Sequence, residues 1–249
     1  MMELDKENCL DKHPLLGIDN FIKECNDRGI SEVNMTGTNT DPLLYTRTEE
    51  LKEYLKSKIP NLVLGIRTNA VKRNLDLLKF YDKGSVTICS FDPLIYKEMM
   101  GKGSPPDFEG IVEATKHWSD LKVNIVLGPD NIRNNDFLKT IEVINSFGNF
   151  RINLREPYGQ PHVGNPITMT PDSYVFGNPS YQIGTSQVTY WDVHYTKVES
   201  VNLYATGRVS IDYPITRGHS DTGEVEDQSK FSHGRHREQW VSHELMYPT

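Results

Sequence analysis

Short apolar segments alternate with segments of helical spacing along the first 160 or so residues. Apolar residues recur every three or four positions in five segments, which predicts helices over residues 17–28, 48–57, 71–81, 108–118 and 137–147. Between them, short apolar runs predict strands over residues 30–35, 62–66, 86–89, 121–127 and 150–154. This alternation predicts βαβ units and a parallel sheet, with each strand a nearly continuous apolar run covered by helices.

The pattern changes near residue 161. Residues 162–190 are rich in Gly, Pro, Asn, Ser and Thr and have no helical period. Apolar and polar residues alternate over residues 198–204, and a second short segment, residues 209–213, follows a four-residue turn. This pattern predicts a β-hairpin. We therefore expect an irregular segment over residues 1–16, a core over residues 17–164, and an extension over residues 165–249 that contains the hairpin and a polar tail.

The composition narrows the class of protein. Hydrophobic residues make up 37% of the 249 residues and the net charge is −7, which argues against a nucleic-acid surface. The sequence has no apolar run of about 18 residues and no signal-peptide core at its start, so we expect no membrane span. Three scattered cysteines, Cys9, Cys25 and Cys89, fit a reduced, cytoplasmic protein.

Polar side chains follow every predicted strand. The residues at these strand ends, with one from inside the fourth strand, are Thr36, Asn39, Asp41, Thr68, Asn69, Ser90, Asp92, Asn124, Asn131, Arg155 and Glu156. Because parallel α/β folds bind ligands at the C-terminal ends of their strands, the set predicts one polar site for a small molecule with amino, carboxylate and ribose groups. Helix capping and ordinary loop polarity are the alternative explanation for each residue taken singly.

Other chemistries have less support in the sequence. Four histidines lie near the C-terminus, His219, His233, His236 and His243, without cysteines or clustered carboxylates at ligand spacing. Phosphate-loop, dinucleotide and nucleophile-elbow motifs are absent from the sequence. An acid–base enzyme that uses Asp41, Asp92 and Glu156 stays open as a metal-independent alternative.

Together, the strand-end motifs resemble those of the radical S-adenosylmethionine (SAM) enzymes, close in pattern to the cyclase-type members of molybdopterin synthesis. The family's T-G-G-E-P-L-L-like segment is matched by T-G-T-N-T-D-P-L-L at residues 36–44, and its T-T-N-G by R-T-N-A at residues 67–70. Its S-x-D is matched at residues 90–92, and its K-x-N-x-V at residues 122–126 with a later Asn131. The resemblance extends from about residue 17 to residue 164.

The resemblance implies a partial parallel (β/α) barrel of the radical SAM type that binds SAM across its strand ends. It implies that Thr36, Gly37, Asn39 and Asp41 lie beside the methionine amino group. It implies that Thr68, Asn69, Ser90 and Asn124 lie along the carboxylate and ribose, and that Arg155 and Glu156 lie near cofactor or substrate. In that family a [4Fe–4S] cluster cleaves SAM to a 5′-deoxyadenosyl radical, which abstracts hydrogen from a substrate. The complete enzyme would need an electron donor such as flavodoxin or ferredoxin.

The sequence departs from the family at the cluster. The family's C-x-x-x-C-x-x-C motif at the end of its first strand has no counterpart, since Cys9 alone precedes the first predicted helix. We favour an N-terminally shortened radical SAM protein, and a degenerate relative that binds a nucleoside without catalysis stays open. The small-molecule substrate is not readable from the sequence.

Overall fold

A computed structural model describes residues 9–37, 40–70, 72–101, 103–156, 164–192 and 200–211 of the chain. The helices of this part are α1 Ile18–Asp27, α2 Thr48–Lys56, α3 Pro93–Met100, α4 Phe108–Ala114, α5 Pro129–Arg133 and α6 Asp136–Asn145, with 3₁₀ segments at Pro42–Leu44 and Lys72–Phe80. The strands are β1 Glu32–Met35, β2 Val63–Thr68, β3 Lys83–Thr87, β4 Leu121–Val126, β5 Arg151–Arg155, β6 Ser173–Val175, β7 Asn178–Ile183, β8 Ser186–Trp191, β9 Asn202–Leu203 and β10 Val209–Ser210.

The strands form one large sheet and one small hairpin. In the large sheet the order is β1-β2-β3-β4-β5-β8-β7-β6. Strands β1 to β5 and β8 are parallel, and β7 is antiparallel to both of its neighbours, β8 and β6. The small sheet pairs β9 with β10 in antiparallel register. The α/β class, the partial parallel (β/α) barrel and the C-terminal hairpin are confirmed.

Two predicted elements differ in detail from the structure, and three strands are not predicted. Residues 173–191 form β6, β7 and β8, in a segment for which the sequence shows only that a helical period is absent. The third strand begins at Lys83 and ends at Thr87, so it lies earlier than the predicted 86–89. The helix predicted over 71–81 is a 3₁₀ segment at Lys72–Phe80 with a kink at Asn74, where φ is −128°.

The expectation that each strand is apolar on both faces is also wrong. Residues paired across neighbouring strands point to the same face of a sheet, and successive residues alternate between faces. One face is apolar, and its main members are Val33, Leu64, Ile66, Val86, Val123, Ile125, Ile152, Leu154, Tyr181, Val188 and Tyr190. We call the other the polar face, although it also contains Val63, Val126 and Trp191. Its polar members include Glu32, Asn34, Arg67, Lys83, Ser85, Thr87, Lys122, Asn124, Arg151, Asn153, Arg155, Ser180, Gln187 and Thr189.

The helices cover the apolar face. One buried cluster joins β1 and β2 to α1, α2 and the second 3₁₀ segment, for example through Val33, Phe21 and Leu55. A second cluster joins β3, β4, β5, β7 and β8 to α4 and α6, for example through Ile111 and Ile141. Because both clusters lie on the same side, burial of the apolar face leaves the polar face available for a site.

Candidate functional site

Asp41 links the loop after β1 to the end of β2. Its Oδ1 accepts hydrogen bonds from the Leu43 N–H at 2.9 Å and from the Thr68 hydroxyl at 2.6 Å. Its Oδ2 accepts from the Asn69 N–H at 2.7 Å. The predicted site residues Asp41, Thr68 and Asn69 therefore form one hydrogen-bonded unit, and Asp41 also caps the first 3₁₀ segment.

Burial changes the acidity of this carboxyl. Asp41 is 8% exposed, and this burial raises the pKa of its carboxyl above the ordinary value. The hydrogen bonds from Thr68, Leu43 and Asn69 oppose the rise, because they stabilise the charged form.

In the loop after β1, the backbone at Gly37 lies close to that at Thr40. A side chain at Gly37 would place its Cβ 1.6 Å from the Thr40 carbonyl oxygen, so only glycine fits there. Asn39, another predicted site residue, lies outside the described residues. The Thr40 carbonyl therefore lies directly against the Gly37 backbone.

Two polar atoms at neighbouring strand ends are buried without a partner. Within the part of the chain that the structure describes, Thr36 Oγ1 and Asn69 Oδ1 accept or donate no hydrogen bond. Thr36 directly follows β1 and Asn69 directly follows β2, and these strands are parallel neighbours. Buried polar groups in native proteins have partners as a rule, so these two neighbouring atoms have unused hydrogen-bonding capacity at the ends of β1 and β2.

The residue after Asn69 has an unusual backbone conformation. Ala70 has a φ of 53°, in the left-handed region that favours glycine, and it is 2% exposed. Its N–H donates to the Thr68 hydroxyl oxygen at 2.8 Å. The backbone after β2 therefore turns as a glycine-containing sequence would, and the turn holds Asn69 in place.

Asn124 and Arg155 lie on the polar face, on the neighbouring strands β4 and β5. The Asn124 Oδ1 accepts from the Asn153 amide at 3.3 Å, and Asn124 is 6% exposed. Thr87, Asn124, Asn153 and Thr189 stand opposite one another in register, and together they form a row of hydroxyls and amides across four strands. The sequence prediction missed Thr87, Asn153 and Thr189, although the alternation of polar and apolar residues in β3, β5 and β8 marks them.

Two other polar residues at strand ends, Asn131 and Asp92, have structural roles. The amide of Asn131 donates to the Cys89 and Val126 carbonyls and accepts from the Gly128 N–H, so its capacity is used in joining the ends of two loops. Asp92 caps α3 through the Leu94 and Ile95 N–H groups.

Ser90 and Glu156 also have partners inside the chain. The Ser90 hydroxyl oxygen accepts from the Asp92 N–H at 2.9 Å, and the residue is fully buried. Glu156 Oε1 accepts from the Gly164 N–H at 2.7 Å and from the Tyr190 hydroxyl at 2.8 Å. These contacts place Ser90 in a loop turn and tie Glu156 to β8.

Metal and cluster ligands are not assembled in the described residues. There, no group of three His, Cys, Asp or Glu side chains lies close enough to hold a metal ion. Cys25 and Cys89 are buried in separate places, and burial raises the pKa of each thiol to about 12. The four C-terminal histidines lie outside the described residues.

The two surface clefts lie away from the strand ends. Two clefts of about 490 and 500 Å³ lie beside α1 with β10 and beside residues 11–16 with Arg47, and neither contains a predicted site residue. Among the described residues, no helix has both the length and the apolarity that crossing a membrane requires.

Protein-family models and curated proteins give no match to this chain. Among solved structures, the chain is similar to Streptococcus suis SuiB bound to S-adenosylmethionine, with 16% identity, 64% of this chain and 36% of that chain covered, and a TM-score of 0.44. It is also similar to SuiB bound to its precursor peptide SuiA, with 17% identity, coverages of 56% and 32%, and a TM-score of 0.43. The chain thus spans about a third of SuiB's length, and at this identity no residue's role is transferred.

Proposed function

We propose that the ends of β1 and β2 bind S-adenosylmethionine, in a core of the radical SAM type. The observation that supports this most is the pair of buried polar atoms without a partner, Thr36 Oγ1 and Asn69 Oδ1, among the described residues. A buried polar group left unpaired costs about 1–3 kcal/mol, so a ligand that supplies hydrogen-bond donors there gains that energy. The ammonium group of SAM has three such donors.

The local backbone supports the same proposal. The segment R-T-N-A at residues 67–70 resembles the family's T-T-N-G, and Ala70 adopts the left-handed conformation that a glycine at that position would adopt freely. Asp41, where the family has a glutamate-containing segment, fixes the Asn69 backbone through its Oδ2. Asp41 then acts by positioning Asn69 and Thr68 around the ligand.

A [4Fe–4S] cluster does not fit the cysteines of this chain. Three thiolates would be needed, while Cys25 and Cys89 are buried in the protein interior and their thiol pKa values are about 12. The proposal is therefore limited to binding, and no radical step is assigned to these residues.

The acid–base alternative has less support. Of its three carboxylates, Asp92 caps a helix, and Glu156 accepts from the Gly164 N–H and the Tyr190 hydroxyl. One oxygen of each of these two carboxylates is thus held in a structural contact, Oδ1 of Asp92 and Oε1 of Glu156, whereas a general base must be within reach of a substrate proton.

The first prediction tests the proposed SAM site with Thr36→Val. The change removes the unpaired hydroxyl, so we expect SAM binding to weaken by about tenfold while the free energy of unfolding stays level or rises. Equilibrium dialysis with labelled SAM and urea unfolding measure the two quantities.

The matched control is Thr140→Val. Thr140 Oγ1 is also buried and unpaired among the described residues, and it lies in α6. The control is expected to leave SAM binding unchanged. A wild-type chain that binds no SAM at millimolar concentration, or equal losses in both variants, would refute the proposal.

A further inference from the structure

The large sheet ends at β6, an edge strand with one open side. β6, Ser173–Val175, is the last strand in the sheet order, and its neighbour among the described residues is β7. The open side of an edge strand presents backbone N–H and C=O groups that another strand can pair with. Soluble proteins commonly guard such edges with charged side chains. The residues around β6 therefore decide whether this edge is guarded.

The sequence around this edge is nearly free of charge. Between Glu156 and Asp192 it contains one Asp, Glu, Lys or Arg residue, Asp172, whereas such residues make up 24% of the whole chain. The Asp172 Oδ2 accepts from the Gln182 N–H at 2.7 Å, so this oxygen is held against β7. The edge thus lacks the charged guard that would keep a second acidic chain away.

Large apolar side chains are exposed at the same edge. Met169, Tyr174 and Phe176 are 51%, 68% and 44% exposed. The Phe176 ring packs edge-on against Trp191, with 6.2 Å between the ring centroids, and is still nearly half exposed. Aromatic and methionine side chains are enriched at protein interfaces, so the composition of this edge fits an interaction surface.

Phe176 also has an unfavourable backbone conformation. It has a φ of 50° and Gly177 has a φ of 81°, and the two residues form the turn between β6 and β7. Turns with two positive φ angles favour Asn or Gly at the first position, and a bulky side chain is disfavoured there. Since the exposed ring gains little burial in return, the strain at Phe176 indicates a contact outside the folded chain.

The hairpin geometry determines which backbone groups face the open side. Val175 and Asn178 flank the two-residue turn, so they form a hydrogen-bonded pair. Tyr174 and Pro179 are the next pair, and successive pairs of an antiparallel ladder alternate between bonded and non-bonded. The N–H and C=O of Tyr174 therefore point away from β7, toward the open side.

We propose that β6 pairs with β6 of a second copy of this chain, antiparallel and about a twofold axis at Tyr174. A residue that lies opposite itself in such a pair donates its N–H to the other copy's C=O and accepts the reciprocal bond. Val175 then lies opposite Ser173 of the second copy, and no charged residue of β6 meets its own copy. This match of the edge with itself favours a second copy over an unrelated partner, and it does not depend on the proposed SAM site.

Sedimentation velocity of the full chain, from about 10 µM to about 1 mM, tests the proposal, because a contact of this small size implies a weak, reversible dimer. We expect the dimer fraction to rise with protein concentration and with salt, since salt screens the repulsion between two chains of net charge −7. A monomer throughout this range, or a dimer that dissociates as salt rises, would overturn the inference.

Tyr174→Pro tests the backbone pairing directly. Proline removes the outward N–H but no hydrogen bond to β7, so we expect about tenfold or more weaker dimerisation and little change in the urea midpoint of the monomer. The control is Leu94→Val, which changes a side chain that is 73% exposed on α3, and it is expected to dimerise as the wild type does. Equal dimerisation of the wild type and Tyr174→Pro would contradict the pairing. A monomeric wild type whose urea midpoint falls in Tyr174→Pro would assign the edge to contacts within the chain.

Phe176→Asn separates association from folding. Asn favours this turn, so we expect the urea midpoint of the monomer to rise while the dimer weakens. A variant that dimerises as strongly as the wild type would show that Phe176 is not part of the contact between copies. Weaker dimerisation together with a lower urea midpoint would show that Phe176 serves the fold, and either result counts against the proposed interface.

Discussion

At the scale of single residues, Asp41 shows how one side chain organises a strand end. Its two oxygens accept three hydrogen bonds from the loop after β1 and from the end of β2. The sequence predicts Asp41 as a site residue because a polar residue follows an apolar strand. Its partners Thr68 and Asn69 are 27 and 28 positions away, and only the fold brings them together.

The second prediction concerns Asp41→Asn. An amide has one acceptor oxygen, so its NH₂ group would face either the Asn69 N–H or the Leu43 N–H and Thr68 hydroxyl. We expect a loss of about 1–3 kcal/mol in the free energy of unfolding in urea near pH 7. Asp27→Asn is the control, because Asp27 is exposed and pairs with Lys23 on the helix surface. Similar losses in the two variants would contradict the role of Asp41.

The third prediction concerns how the stability of the wild type and of Asp41→Asn depends on pH. Burial raises the pKa of Asp41 in the folded state above its ordinary value of 3.8, so the folded state binds this proton more tightly. The resulting stabilisation is complete below pH 3.8 and is lost as the pH rises through the folded pKa. The unfolding free energy of the wild type relative to Asp41→Asn should therefore fall as the pH rises from 3.8 through the folded-state pKa. If this difference in unfolding free energy instead grows as the pH rises, the folded state lowers the pKa of Asp41.

The fourth prediction concerns the thiols. Cys9 is half-buried, while Cys25 and Cys89 are buried and have thiol pKa values of about 12. Since the thiolate is the reactive form, we expect Ellman's reagent to modify Cys9 first in the native protein and the other two only on unfolding. Cys9→Ser should remove the fast phase. A fast phase that survives in this variant would contradict the burial of the other two cysteines.

At the scale of elements, the strands show where sequence reasoning succeeded and where it failed. The order of β1 to β5 and the helices α1, α2, α4 and α6 follow from apolar spacing, whereas the short helices α3 and α5 are not predicted. The assignment of the C-terminal strand ends as a site stays a prediction. The prediction of nearly continuous apolar strands does not separate the two faces of the sheet, so it does not reveal the polar face. In β4, Lys122 and Asn124 alternate with Val123 and Ile125, which is the period of a strand with one buried face.

Strands β6 to β8 were missed for a different reason. Their segment is rich in small polar and turn residues, and these favour loops when they are read locally. In the structure β8 pairs with β5, and Tyr181, Val188 and Tyr190 join the core beneath it. Pairing with a distant strand therefore outweighs the local preference.

The fifth prediction tests the pairing of β1 with β2 at Gly65. A Cβ at this position would lie 2.0 Å from Asn34 Oδ1, and Asn34 is 5% exposed. We expect Gly65→Ala to lower the free energy of unfolding by about 1–3 kcal/mol, because the buried amide has little room to move. In a double-mutant cycle, Asn34→Ala should recover most of that loss. Additive losses would contradict the contact.

At the scale of the whole molecule, two buried clusters share one sheet. The first lies under β1 and β2 and includes Val201 from the C-terminal part of the chain. The second lies under β3 to β5, β7 and β8 and includes Tyr181 and Val188. Residues beyond 164 therefore contribute to both clusters, so the helix-covered side of the sheet depends on the extension as well as on the preceding barrel segment.

This dependence can be tested by ending the chain after residue 164. Without β8, the β5 strand would have an unpaired edge, and the second cluster would lose Tyr181, Val188 and Tyr190. We expect the shortened chain to show no cooperative urea transition by circular dichroism, while the full chain shows one. Cooperative unfolding of the shortened chain would show that residues 17–164 fold alone. In that case we expect Val188→Ala in the full chain to lower the free energy of unfolding no more than Val143→Ala, a control whose side chain is 38% exposed. A shared core predicts instead that Val188→Ala alone lowers this free energy by about 1–3 kcal/mol.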